Sequence, residues 1–181
     1  MNISESISKN DLFLIFSEAA IIKQEDLGIV SQLVKMDYNT IVITSNQPYT
    51  NLVRIYEENN IDMSNIVIID LITRYALGKE PENTNSDKCR YISNPANLTD
   101  IGIVINELLS NNNGRNSAVV FDSINTMLIY LSSDQLSRFI HLITNKFRLM
   151  GVKGFFLAVG GALDPALEVR FKIFMDIVIK S

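Results

Sequence analysis

The chain has 181 residues, 47% hydrophobic and 20% charged, with a net charge of −4; this suits one well-filled domain, 1–181, and argues against nucleic acid or an anionic membrane as the main partner. One cysteine, Cys89, and one histidine, His141, exclude an intramolecular disulfide and a Cys/His zinc site, so no metal centre and a reducing cytoplasm are expected. The longest apolar runs fall far short of the roughly 20 residues of a membrane-spanning helix, and the N-terminus has neither a basic segment nor an apolar signal core, so no export is expected.

In chain order, Asp11 to Phe16 is a short apolar run that predicts a first buried strand. It leads through Ser17-Glu18 into a helix whose inward positions are expected at Leu27, Val30, Leu33 and Val34. A phosphate-binding loop at this junction requires G-x-x-x-x-G-K-[ST], whose glycines let backbone N–H groups wrap phosphate. The junction instead holds no glycine before Gly28, and Glu18, Glu25 and Asp26 add negative charge where phosphate would sit. Thr40 to Ser45 predicts a second strand, and Asn46-Gln47-Pro48 a helix start with a side-chain cap. A third strand follows at Asn65 to Asp70, so strand and helix alternate at the spacing of βαβ units.

From 78 to 95 the sequence turns polar, and this is read as the one long loop. Asn97-Leu-Thr-Asp100 opens a helix with apolar positions Ile101, Val104, Ile105 and Leu108, closed by Asn111 to Gly114. Ser117 to Phe121 is β-branched and apolar and ends on Asp122, which delivers that carboxylate to the carboxyl edge of a sheet, where open α/β folds place ligands. Two readings follow: a magnesium-holding Asp of the Walker B type, with Ser123 beside it, or a structural Asp capping the next helix. Ser132 to Gln135 reads as a capping box before the stripe Leu136, Phe139, Ile140, Ile143, Phe147 and Met150, with His141 a packing or surface residue. Gly154 to Val159 and Asp176 to Lys180 complete six expected strands, with short helical segments after Pro165. The fold class is therefore α/β, a three-layer α/β/α sandwich with a mainly parallel sheet.

Thr40 to Asp70, Asn94 to Ile101, Val119 to Tyr130 and Phe139 to Val159 together resemble the archaeal branch of the KaiC/RecA-like ATPase superfamily, over nearly the whole chain. The Asp122-Ser-Ile-Asn-Thr126 segment is the most specific piece. The resemblance implies the RecA-like P-loop NTPase fold, a P-loop after the first strand, a magnesium-binding Asp and an acidic water-activating residue after the second strand. Only Asp122 has a counterpart here. Ser17-Glu18 onward stands at the P-loop position, with Lys23 its nearest cation, and Ser45-Asn46-Gln47 replaces the acidic residue.

Loss of both the phosphate cradle and the water-activating group removes the electrostatic basis of phosphoryl transfer. The expectation is a non-catalytic, regulatory or scaffolding RecA/KaiC-like domain that acts through a protein partner or as a homo-oligomer, with no cofactor. The alternative is a nucleotide-binding or weakly hydrolysing ATPase that uses Mg-ATP through Asp122, Ser123, Asn46, Gln47, Ser17 and Glu18. A third reading, a small-molecule enzyme at the same edge, lacks a nucleophile and base pair. The aromatic and Met residues near the C-terminus, above all Phe171, Phe174 and Met175, are expected to leave an exposed interface patch.

Overall fold

The computed structural model describes residues 3–9, 11–82, 87–111 and 116–181. Strands β1 (Leu12–Ser17), β2 (Asn39–Thr44), β3 (Ile66–Asp70), β4 (Cys89–Tyr91), β5 (Ser117–Phe121), β6 (Lys153–Val159) and β7 (Ile177–Lys180) form one sheet in the order β4-β3-β2-β5-β6-β1-β7. Every neighbouring pair is parallel. A parallel sheet covered on both faces needs apolar residues at consecutive positions, which is why its central strands read as unbroken hydrophobic runs. In β5, Val119 and Phe121 enter one core while Ala118 and Val120 enter the other.

Helices α1 (Ile3–Lys9), α2 (Ile22–Lys35) and α3 (Tyr49–Glu58) cover one face, contributing Ile7, Ile29, Leu33, Leu52 and Tyr56 to its core. The other face carries α5 (Leu98–Ser110), α6 (Ile124–Met127), α7 (Ser133–Met150) and α8 (Pro165–Phe174). The short α4 (Thr73–Leu77) follows β3. The result is the expected three-layer α/β/α architecture. None of the described helices is long and apolar enough to cross a membrane.

Several local expectations are corrected. The sheet has seven strands, because the polar stretch from 78 to 95 contains β4, a three-residue edge strand paired only with β3. Three residues on a sheet edge are too few for an alternation pattern. Positions 83–86 of that stretch lie outside the described residues, as do 112–115 of the expected Asn111–Gly114 closure. Helix α2 buries Ile22, Asp26, Ile29, Val30 and Leu33, so its inward face is turned from the expected one and includes a carboxylate. The capping box of α7 forms as read, with Ser132 Oγ accepting from the Gln135 N–H at 3.2 Å.

The predicted patch of Phe171, Phe174 and Met175 is also corrected. Phe171 is 1% exposed and Met175 is buried, while Phe174 is half-buried against the His141 ring at 4.9 Å. The physical reason is that this segment is helical up to Phe174. Leu167 and Phe171, four apart, face the core, and Val169 and Ile173, also four apart, face outward.

Candidate functional site

Asp122 follows directly on β5 and remains in sheet register, its N–H donating to the Ile43 carbonyl of β2 at 3.1 Å. Its side chain is directed at the loop after β2. Oδ1 accepts from the Ser45 N–H (3.0 Å) and the Ser45 hydroxyl (3.3 Å); Oδ2 accepts from the Thr44 hydroxyl (2.7 Å) and the Asn46 N–H (3.3 Å). Both oxygens thus accept from β2 and the loop after it, although the one Ser45 hydroxyl proton is also offered Thr126 Oγ1 at 2.6 Å and the Ser123 carbonyl at 3.2 Å. Thr44 Oγ1 accepts in turn from the Gln47 N–H at 3.1 Å, and its single proton lies between Asp122 Oδ2 and the Gln47 carbonyl at 2.8 Å.

This corrects the reading of Asp122 as the cap of the following helix. Ser123 holds that role, its Oγ accepting from the Thr126 N–H at 3.2 Å. Asp122 stands one residue too early, just past the end of β5, so its carboxylate joins the ends of β5 and β2. Asn46 does not cap α3 either. The Tyr49 N–H at its start donates to Asp70 Oδ2 at 2.7 Å, and Asp70 Oδ1 accepts from the Ile72 and Thr73 N–H groups at 2.9 and 2.8 Å. The fully buried Asp70 ends β3 as Asp122 ends β5, and it ties down two helix starts.

Asp122, Asn46 and Gln47 line one cavity of about 40 Å³ together with Lys23 and Asp26 of α2 and Tyr56 of α3. Asp26, Tyr56 and Thr44 were not anticipated as site residues. Asp26 Oδ1 and Tyr56 Oη are buried and have no hydrogen-bond partner among the described residues. Burial, and then the charge of Asp122, pushes the Asp26 carboxyl up to about 8, so it is neutral at pH 7. Burial also raises Asp122, but its donors from Ser45, Thr44 and Asn46 oppose the shift and it stands at about 6. The Tyr56 phenol is driven well above its usual range by burial and then by both carboxylates.

Ser17 and Glu18 line a different cavity, with Gly160, Gly161, Glu168 and Lys180. Strand β6 lies between β1 and β5, which puts the end of β1 about 10 Å from the end of β5. The β1–α2 junction is a closed turn: the Ile21 and Ile22 N–H groups donate to the Glu18 carbonyl, and those of Gln24 and Glu25 to the Ile21 carbonyl.

Comparison with known proteins follows the fold. The model of the family of unknown function DUF7504 matches residues 32–180. Among solved structures, the uncharacterized protein PH0321 of Pyrococcus horikoshii, in complex with an unknown peptide, is similar with a TM-score of 0.64 at 18% identity, covering 98% of this chain and 81% of that one. The KaiC-like protein PH0186 of Pyrococcus horikoshii OT3 is similar with a TM-score of 0.63 at 14% identity, over 94% of this chain and 70% of that one. No curated protein matches. The fold is thus that of archaeal KaiC-like proteins.

Proposed function

We propose, for a chain that belongs to the family of unknown function DUF7504, a non-catalytic regulatory or scaffolding role exerted through protein–protein contacts on a KaiC-like fold. The observation that carries this reading is the state of Asp122: the Ser45 N–H on one oxygen and the Thr44 hydroxyl and Asn46 N–H on the other tie it to β2 and the loop after it, so a metal-bound water would have to displace those bonds. The residues at this edge do not fit Mg-ATP. Four N–H groups of the β1–α2 turn are used internally. The adjoining cavity, about 40 Å³, is far below the roughly 300 Å³ at which small-molecule pockets begin. Of the residues lining that cavity one, Lys23, is basic, and it faces Asp122 there, where phosphate would require a surplus of positive charge. The unknown peptide bound to PH0321 supports a protein-binding use of this fold.

The test is calorimetric titration with Mg·ATP beside a phosphate-release assay. No binding tighter than roughly 100 µM, about −5.5 kcal/mol, is expected, and no turnover. Turnover that disappears in Asp122→Ala while the variant stays folded would sink the reading in favour of a weak ATPase.

A further inference from the structure

From the groove between α5 and α7 we infer that this chain binds an amphipathic, acidic helical segment of a partner protein there; the inference rests on the protein-contact reading above and names the partner's chemistry. The groove encloses about 610 Å³ and is lined by Ile103, Phe139, Leu142 and Ile143. Phe139 and Ile143 are buried and form its floor, whereas Ile103 and Leu142 are 51% and 67% exposed and form its walls. An apolar trough between two helices accepts a third helix through residues spaced i, i+3 or i+4, and i+7.

Gly102 leaves the α5 side of the groove open. It lies inside α5, where glycine weakens a helix relative to alanine, and a Cβ placed on it would meet nothing within 4 Å. Gly28 inside α2 is equally open, so the open space at Gly102 measures room on the α5 side of the groove. At Gly154, by contrast, a Cβ would fall 2.9 Å from the Phe147 ring, so that glycine is explained internally. The notch at Gly102 opens into the groove and lets another backbone approach closely.

Charge selects the chemistry of the occupant. The chain carries a net charge of −4, yet among the described residues the charged ones lining the groove are Arg138 and Lys146, both on α7. Eight residues apart, they lie about 12 Å from each other along the helix, two turns of a partner helix. Arg138 pairs with Asp134 one turn back, an exposed contact that competes weakly. A partner helix with an apolar face and acidic residues seven or eight apart along one flank satisfies both the trough and its basic wall.

The experiment is a display selection of random peptides, about 16 residues long and roughly 24 Å when helical, on the immobilised full chain. Enriched peptides are then measured by fluorescence polarisation against variants. Expected are peptides with apolar residues at helical spacing and acidic flanks, whose affinity falls at least about tenfold in Gly102→Leu and in Leu142→Asp. The double variant Arg138→Glu/Lys146→Glu is expected to lose the acidic peptides and, on reselection, to enrich basic ones. Circular dichroism and thermal unfolding verify folding; leucine favours a helix over glycine, and Leu142 is exposed, so neither single change threatens it.

No enrichment, enriched peptides without acidic bias, or unchanged binding in Gly102→Leu overturns the inference. So does light scattering that shows a dimer which Gly102→Leu dissociates, since a second copy would then be the occupant. The same preparation is assayed with Mg·ATP. Turnover would defeat the non-catalytic reading and leave the groove result standing, whereas failed selection leaves the Asp122 argument untouched.

Discussion

Asp122 and Asp26 face the same small cavity at the carboxyl edge of the sheet, and the protein treats them in opposite ways. Asp122 is met on both oxygens by donors from Thr44, Ser45 and Asn46, 76 to 78 residues away in sequence. Asp26 sits on the inward face of α2 with one oxygen unpartnered among the described residues. Both carboxyls are raised by burial, yet Asp122 stops at about 6 and Asp26 reaches about 8. The difference shows what a set of converging N–H and O–H groups is worth against desolvation: it holds a buried carboxylate near its charged form, and without it the proton stays on.

The comparison is broken most severely by Asp122→Ala. The Ser45 and Asn46 N–H groups would lose their acceptor inside the fold, and unmet buried donors cost roughly 1–3 kcal/mol each. The Thr44 proton has the Gln47 carbonyl to fall back on, and the Ser45 proton has Thr126 Oγ1 and the Ser123 carbonyl, so the loss is expected at roughly 2–4 kcal/mol. Asp122→Asn is expected to cost about half as much, because one of its two side-chain atoms is a donor facing donors. Urea denaturation of the three proteins checks the order; a cost for Asn as small as that of an exposed cap, under about 1 kcal/mol, would mean that the bridging bonds are not made.

Asp26→Asn tests the other half. A carboxyl raised from 3.8 to about 8 holds a proton in the folded chain that the unfolded chain releases above pH 4. Its contribution is therefore fully present below about pH 4 and is lost as pH rises through about 8. Replacing it with a neutral amide removes that loss. The expected result is a gain that grows with pH, by up to about 1.4 kcal/mol per pH unit between pH 4 and pH 8, and so is clearly larger at pH 8 than at pH 5, measured as unfolding free energy across pH. If the variant instead follows the wild-type pH profile, Asp26 is ionised in the folded state and its burial is compensated by a partner.

How much of this was readable from residues alone follows physical lines. β-branched apolar runs identified six strands, and the position of Asp122 at the end of one of them followed from strand-then-Asp. The same pattern at Asp70 carried the same information, and its two helix starts were legible in principle as N–H groups awaiting an acceptor. The partners of Asp122 were not legible, because pairing of β5 with β2 is a long-range event with no local signature. Asp26 was hidden by helix phase: Leu27 and Val34 favour one face, while Ile22, Ile29 and Leu33 place the buried stripe about one position away and carry Asp26 with it. Phe171 and Met175 were counted as an apolar excess, which composition alone cannot assign to the inside or the outside of a helix.

The smallest expected effect is at Tyr56, and it sharpens the contrast by separating a missing partner from a missing charge. Tyr56 is 1% exposed, its ring packed in the core with Leu52, and its hydroxyl has no partner among the described residues. Its phenol is raised by burial and by the neighbouring carboxylates, so it is neutral at every pH at which Asp26 titrates. Tyr56→Phe removes the hydroxyl and keeps the ring, and deleting a buried polar group that lacks a partner is neutral or mildly stabilising, within about 1 kcal/mol. Because no charge is involved, the change is expected to be the same at pH 5 and pH 8, unlike that at Asp26. A clear destabilisation at pH 5 that disappears at pH 8 would show that the protonated Asp26 carboxyl donates to the tyrosine oxygen, and the two groups would then be one hydrogen-bonded unit.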